Sequence, residues 1–172
     1  DIRIYKGGFI LWGPSSYKIK GHHMRNILNL IRPGDVLLRR YDHYIGSIFI
    51  PGFWSHAALY VGKGKVLHML GDGITCEDIL TFMRTDHILI LRNVSLFARK
   101  NAISEAWRLF EEHVEYDYDF DNKSLRKLYC TEFVDVCYGN VVRAHSKNKY
   151  ILPDDFLKVS QFKKIWSSTE KN

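Results

Sequence analysis

The sequence YCTEFVDVCYG occupies residues 129–139 and predicts a short amphipathic helix that begins at Cys130. Phe133 and Val134 lie on its apolar face, and Gly139 is placed to end it. A thiol at a helix N-terminus faces unpaired backbone N–H groups and the positive end of the helix dipole, so we expect a lowered pKa for Cys130. This position suits a nucleophile, and a small buried side chain is the alternative explanation.

Two histidines upstream are candidates for the base that a cysteine nucleophile requires. Residues 55–62, SHAALYVG, and 65–70, KVLHML, predict two strands joined by a glycine-lysine-glycine turn, which indicates a hairpin. The hairpin would place His56 and His68 nearly opposite each other on neighbouring strands. We expect His56 to take the thiol proton and His68 to orient His56, while the backbone N–H of Cys130 binds the oxyanion.

The same three residues, Cys130, His56 and His68, are acceptable zinc ligands by type. A thiol paired with an imidazole explains the helix position of the cysteine without a metal, so we predict neither a metal nor a cofactor. The chain has three cysteines, and because this number is odd, at least one thiol stays unpaired. No histidine pair precedes Cys76 at a suitable spacing, so this residue is interpreted as a packing residue.

Hydrophobic periodicity in the rest of the chain predicts an α+β fold. Strands are expected at 35–40, 55–62, 65–70 and 87–92, with a C-terminal strand from Phe162 to Trp166. Helices are expected at 17–31, at 77–84 with Thr75 as N-cap, and at 100–115. These elements predict an antiparallel sheet or half-barrel with the Cys130 helix packed on one face.

Composition limits the classes of protein. With 172 residues and 46% hydrophobic residues, we expect one domain over residues 1–172, with a core at about 33–138 and an arm at each end. No apolar run approaches the roughly 18 residues that span a bilayer, so we expect a soluble chain. Because the sequence begins at Asp1, a removed signal peptide or anchor stays open, and so does the compartment.

The formal charge of +6 suits an acidic partner such as an anionic lipid surface or a cell-wall polymer. The basic residues are dispersed and no recognition helix or stacking motif is present, so nucleic acid is not expected. The sequence leaves the oligomeric state open.

Aromatic residues near the histidine hairpin are candidates for substrate contact. An apolar arm at residues 1–16, together with Phe49 and Phe53, favours a lipid or acyl group and a peripheral contact with a membrane. The alternative is a connecting loop packed by its own aromatic side chains. We expect substrate-binding or orienting roles for Trp54 and Ser55, which immediately precede His56.

The order of these motifs resembles the circularly permuted papain-like hydrolases of the NlpC superfamily. The similarity covers residues 33–138, and it is closest to YiiX-type proteins and lecithin:retinol acyltransferase-like enzymes. It is carried by SHAALYVG at 55–62, VLH at 66–68 and YCTEFV at 129–134, and by glycine-aspartate at 34–35 and tyrosine-aspartate at 116–117.

The resemblance implies that Cys130 is the nucleophile, His56 the base and His68 the third, orienting residue, with Tyr116 orienting or polarising the cysteine. Many YiiX-type proteins have an acidic residue at the position of His68, whereas the acyltransferase-like branch has histidine. The branch and the substrate therefore stay open.

We accordingly expect a cysteine-dependent hydrolase or acyltransferase that cleaves an amide or ester through an acyl-enzyme. An acyl-lipid or N-acyl substrate and a cell-wall peptide are both compatible with the sequence. The alternative is a non-catalytic binding module of the same fold that holds an anionic lipid or glycan.

Overall fold

The computed structural model describes residues 2–4, 10–12, 17–42, 51–118, 126–146 and 149–169, with 2–4 and 10–12 described by their backbone only. Strands β1 (Ile2–Ile4) and β2 (Ile10–Trp12) form an antiparallel pair. Phe49 and most of the predicted N-terminal arm lie outside the described residues.

An antiparallel sheet of six strands forms the centre of the molecule. The order across the sheet is β10-β7-β3-β4-β5-β6. The strands are β3 (Val36–Arg40), β4 (His56–Gly62), β5 (Lys65–Leu70), β6 (Gly73–Asp78), β7 (His87–Asn93) and β10 (Phe162–Ser167). The predicted α+β class is confirmed; the sheet is open rather than a closed barrel, and the C-terminal run returns to pair with β7.

Helices cover both faces of this sheet, and a short parallel strand pair precedes the cysteine helix. The helices are α1 (Gly21–Leu30), α2 (Ile79–Phe82), α3 (Leu96–Glu111), α4 (Cys130–Cys137) and α5 (Val141–His145), with a 3-10 helix at Pro153–Lys158. The strand pair is β8 (Glu115–Tyr116) and β9 (Lys127–Leu128). No helix in the described part of the chain is long and apolar enough to cross a membrane.

Two buried clusters result, one on each face of the sheet. Val36, Leu38 and Leu59 face the cluster that contains α3 and α4. Leu37 and Tyr60 face the second cluster, which contains side chains of α1 and α2. Because both faces are buried, the central strands have nearly continuous apolar sequences.

The predicted helix at 77–84 begins later than expected. Residues 73–78 form β6, which pairs with β5 from Leu70 opposite Gly73 to Lys65 opposite Asp78. The side chain of Asp78, not Thr75, caps α2 by accepting the Leu80 N–H at 2.8 Å. A full ladder of strand hydrogen bonds outweighs one extra helical turn, because short helices gain little stability on their own.

The glycine-aspartate pair at 34–35 fixes the start of β3. The Gly34 N–H donates to the Tyr60 carbonyl at 2.8 Å, and its φ of +87° is in the region that favours glycine. Asp35 is fully buried and accepts two hydrogen bonds from the Arg92 guanidinium, at 2.7 and 2.6 Å. These contacts bind the start of β3 to β4 and β7.

Candidate active site

Cys130 is the first residue of α4, as the sequence predicted. Tyr129 precedes it in an extended conformation, and the Tyr129 hydroxyl accepts the Ile151 N–H at 2.8 Å. Helix α4 packs on β4 and β5, and Cys130 is 8% exposed within the first cluster. The thiol is therefore held at a helix N-terminus, against the sheet that carries the two histidines.

The pKa of Cys130 is raised, so the expected lowering is wrong. Burial disfavours the thiolate and is the largest cause. Hydrogen bonds from the Ala57 backbone, and from the side chain and backbone of Thr131, act in the opposite direction and do not compensate. The helix N-terminus is thus outweighed by desolvation, and the thiol is neutral in the free protein.

His56 and His68 lie on neighbouring strands and touch each other. The Nε2 atom of His56 is 3.0 Å from Nδ1 of His68, and the two ring planes are nearly perpendicular. Because Leu59 pairs with Leu67, the register places the histidines diagonally on one face rather than directly opposite. Their contact through these two nitrogens leaves Nδ1 of His56 as the atom that can accept a proton.

The thiol and the imidazoles approach from different faces of the sheet. Both histidine rings contact Phe82, in the second cluster, while Cys130 belongs to the first. His56 is the first residue of β4, at the strand end where the two faces meet. Among the described residues Cys130 Sγ lies 3.8 Å from Thr131 Oγ1, and no hydrogen bond joins it to His56.

Both histidines have lowered pKa values. Burial is the largest cause for each, followed by the positive charge of Arg39. The pKa of His68 falls to about 3, and that of His56 lies well below its usual value. Arg39 is paired with His56 in the β3–β4 register, and its side chain is 12% exposed. Both imidazoles are therefore neutral at pH 7, which is the protonation state of a general base.

Sequence reasoning missed Arg39 and Glu77 as parts of this site. Arg39 was interpreted only as a strand residue, although alternation along β3 directs it to the same face as His56. Glu77 was assigned to a helix, whereas it lies on β6 beside His68. The alternating polar positions at 73–78 were the signal that could have identified the strand.

The three residues predicted to bind or orient the substrate or the cysteine lie in different surroundings. Trp54 is 4% exposed and belongs to the first cluster. The Ser55 hydroxyl donates to the Arg39 carbonyl at 3.3 Å, at the entrance to β4. Tyr116 is half-buried, and its pKa is raised first by burial and then by Cys130, so its hydroxyl stays protonated near the thiol.

A cavity of about 300 Å³ has Tyr116 in its wall. Tyr116 and Tyr118 form part of its wall with rings 4.8 Å apart, and the Tyr118 hydroxyl donates to the Gly71 carbonyl at 2.9 Å. Its lining combines aromatic and charged groups. The other lining residues are Gly71, Asp72, Gly73, Ile74, Phe110, His113, Val114, Glu115 and Lys127.

Within the described ranges, no three His, Cys, Asp or Glu side chains are grouped so that they could hold a metal ion. Cys130, His56 and His68 therefore do not form a three-ligand group among these residues.

Comparisons with known proteins identify a family. The model of the permuted papain-like amidase enzymes YaeF and YiiX, the C92 family, matches residues 30–171. The crystal structure of the metalloprotein yiiX from Escherichia coli O157:H7 is similar, with a TM-score of 0.64 and 14% identity over 81% of this chain and 98% of that chain. At this identity the likeness shows the fold alone. A search of the curated proteins found no match.

Proposed function

The chain belongs to the permuted papain-like amidase family of YaeF and YiiX, an enzyme family of the cysteine hydrolase type, and we propose that it cleaves an amide bond with Cys130 as nucleophile. His56 serves as the base and His68 orients it. The 3.0 Å contact between His56 Nε2 and His68 Nδ1 carries this proposal, because it engages one ring nitrogen of His56 with His68 and leaves Nδ1 for the thiol proton.

The reaction begins with a neutral thiol and a neutral imidazole. As the Cys130 sulfur attacks the carbonyl carbon, its proton passes to Nδ1 of His56, and the carbonyl oxygen becomes an oxyanion. The backbone N–H of Cys130, at the start of α4, donates to that oxyanion. The proton on His56 then passes to the leaving amine as the C–N bond breaks, which yields an acyl-enzyme that water hydrolyses by the same steps.

The cavity lined by Tyr116 supports a peptide-like group on the substrate. Its wall includes Asp72, Glu115 and Lys127, and charged groups suit a polar chain better than an aliphatic one. Tyr116 lines this cavity and also interacts electrostatically with Cys130, so the cavity is near the proposed nucleophile. We therefore place a peptide substrate, including a cell-wall peptide, ahead of an acyl-lipid.

An acyl-lipid or N-acyl substrate, with transfer of the acyl group to a second acceptor, is the other candidate. Phe53 is 41% exposed, and the Arg40 guanidinium lies 4.9 Å from its ring centroid. Phe53 is one of the aromatic residues that the sequence associates with a lipid, and its pairing with Arg40 would suit contact with an anionic headgroup at a membrane. Trp54, which was expected to bind or orient the substrate, is buried in the core.

The decisive experiment monitors the acyl-enzyme. Wild type is mixed with p-nitrophenyl acetate and analysed by intact mass spectrometry and peptide mapping, beside Cys130→Ala and His56→Ala. We expect acetylation of Cys130, with turnover, in wild type alone. Acetylation confined to Cys76 or Cys137, or turnover that survives Cys130→Ala, would contradict the proposal and favour the binding module.

Substrate class is then tested with muropeptides and with N-palmitoylglycine, comparing wild type with Cys130→Ala. Release of a peptide amine by wild type alone supports the peptide assignment. Release of palmitate by wild type alone supports the acyl-lipid alternative.

A further inference from the structure

Three buried polar atoms around the histidine pair have no hydrogen-bond partner among the described residues. They are Nε of Arg39, Nε2 of His68 and Oε2 of Glu77. An unsatisfied polar atom in the interior costs stability, and such atoms are rare in folded proteins. Their occurrence together, on three strands of one sheet, calls for a functional explanation.

Electrostatic contacts connect these three side chains. Oε2 of Glu77 is 3.4 Å from Nε2 of His68 and 3.7 Å from Nη1 of Arg39. The Arg39 guanidinium also lies 4.3 Å from the centroid of the Phe82 ring, the ring against which both histidines pack. Glu77 thus holds a carboxylate oxygen facing the outer nitrogen of His68, with a cation beside it.

The hydrogen bond between the two histidines allows two proton arrangements. Between His56 Nε2 and His68 Nδ1, one nitrogen must donate and the other accept. If His56 donates, its Nδ1 is free to accept the thiol proton, and the proton of His68 is on Nε2. If His68 donates, its Nε2 is bare, and neutral His56 carries its proton on Nδ1, where it cannot act as a base.

A carboxylate selects between these arrangements because it only accepts hydrogen bonds. With Glu77 facing Nε2 of His68, the tautomer with a proton on that nitrogen is stabilised. The opposite tautomer would place a nitrogen lone pair against a carboxylate oxygen. Glu77 on β6 therefore sets the productive tautomer of His56 through His68.

We infer that Glu77 is a positioning residue that fixes the tautomers of His68 and His56, with Arg39 holding its carboxylate in place. This inference rests on the proposed function. It adds an acidic residue on β6, on the side of His68 remote from His56. Glu77 does not touch the reacting atoms, so its effect acts on kcat through the state of the base.

The test uses Glu77→Gln, which keeps the shape of the side chain and removes its charge. The matched control is Glu111→Gln, the same chemical change at an exposed position on α3. We expect kcat with p-nitrophenyl acetate to fall about 10- to 100-fold in Glu77→Gln with KM unchanged, and the control to match wild type. Glu77→Asp, which keeps a carboxylate that can only accept, should recover part of the rate, whereas the amide introduced by Glu77→Gln can also donate and so no longer selects one tautomer.

Long-range ¹H–¹⁵N NMR of the histidine rings gives a readout that a purely structural role would not change. In wild type we expect His56 and His68 each to carry the proton on Nε2, and in Glu77→Gln we expect both to shift toward Nδ1. Unchanged tautomers and an unchanged kcat in a folded Glu77→Gln would overturn the inference.

The failure of this inference differs from the failure of the proposed function. If Cys130→Ala and His56→Ala abolish turnover but Glu77→Gln matches wild type, only the role of Glu77 is lost. If turnover survives Cys130→Ala, the proposed function itself is wrong. If Glu77→Gln does not fold, the Glu77→Asp spectrum and kcat decide.

Discussion

The protonation states of Cys130 and His56 determine how the nucleophile is activated. Burial raises the pKa of the thiol and lowers the pKa of the imidazole, so the ion pair of thiolate and imidazolium is disfavoured before substrate binds. Proton transfer then accompanies the attack on the carbonyl, as it does when a hydroxyl is the nucleophile.

Alkylation of Cys130 by iodoacetamide tests this state. Because only the thiolate reacts and burial raises its pKa above the usual 9.0, we expect the rate to rise throughout the alkaline range. His56→Ala should leave this profile close to wild type. Peptide mapping separates Cys130 from half-buried Cys76 as an internal reference. A plateau on the acidic side of neutral that disappears in His56→Ala would instead establish a preformed ion pair.

The acid limb of the kcat/KM profile reports on His56. A base must be neutral to act, and burial and Arg39 hold the pKa of His56 well below 6.5, so activity should persist at pH values below 6.5 before it falls. Arg39→Leu removes the positive charge and should move the limb to higher pH. The measurement is initial rates of p-nitrophenyl acetate hydrolysis against pH. An acid limb that stays in place in Arg39→Leu would remove Arg39 as a cause.

At the scale of elements, β3 positions Arg39 because its other end is anchored at Gly34. The Tyr138 hydroxyl donates to the Gly34 carbonyl, which connects this anchor to the C-terminal end of α4. Helix α4, which carries Cys130, and strand β3, which pairs with the His56 strand β4, are thus held in a fixed relative position. A disturbance at Gly34 should reach the site through β3.

Gly34→Ala should destabilise the fold by about 2 to 4 kcal/mol. A Cβ there would lie 2.5 Å from Cβ of Arg99, and the φ of +87° is strained for alanine. Gly139→Ala is the control, since its φ is +70° but nothing lies within 4 Å of the added atom. It should cost about 1 kcal/mol. Urea denaturation measures both, and equal losses would show that contact with Arg99 is unimportant.

Local sequence patterns predicted the elements that carry Cys130, His56 and His68, but they did not predict that Arg39 and Glu77 lie beside the histidines. Cys130 and the histidine hairpin follow from a helix start and a glycine turn, which are properties of neighbouring residues. The positions of Arg39 and Glu77 depend on strand register. The pattern at residues 77–84 predicts a helix, so it does not place Glu77 on β6 beside β5. The raised pKa of Cys130 depends on burial, which the periodicity of α4 alone does not give.

At the scale of the molecule, the α4–α5 corner contains a buried glutamic acid. Glu132, in the first turn of α4, is 6% exposed, and its Oε1 lies 3.5 Å from Nη2 of Arg143 on α5. Burial raises the pKa of Glu132 to about 7, against the opposing effect of Arg143. A protonated carboxyl is therefore the form that the fold prefers.

This preference makes global stability depend on pH. The folded state holds a proton on Glu132 that the unfolded chain releases near pH 4.5, so the stabilisation is complete below that pH and is lost as pH rises to about 7. At about 1.4 kcal/mol per pH unit, the loss reaches about 3 kcal/mol. Glu132→Gln, which cannot ionise, should gain most of that amount relative to wild type between pH 5 and pH 8 in urea denaturation. The exposed Glu111→Gln should show no such drift, and a constant difference between Glu132→Gln and wild type would mean that Glu132 is already ionised in the folded protein at pH 5.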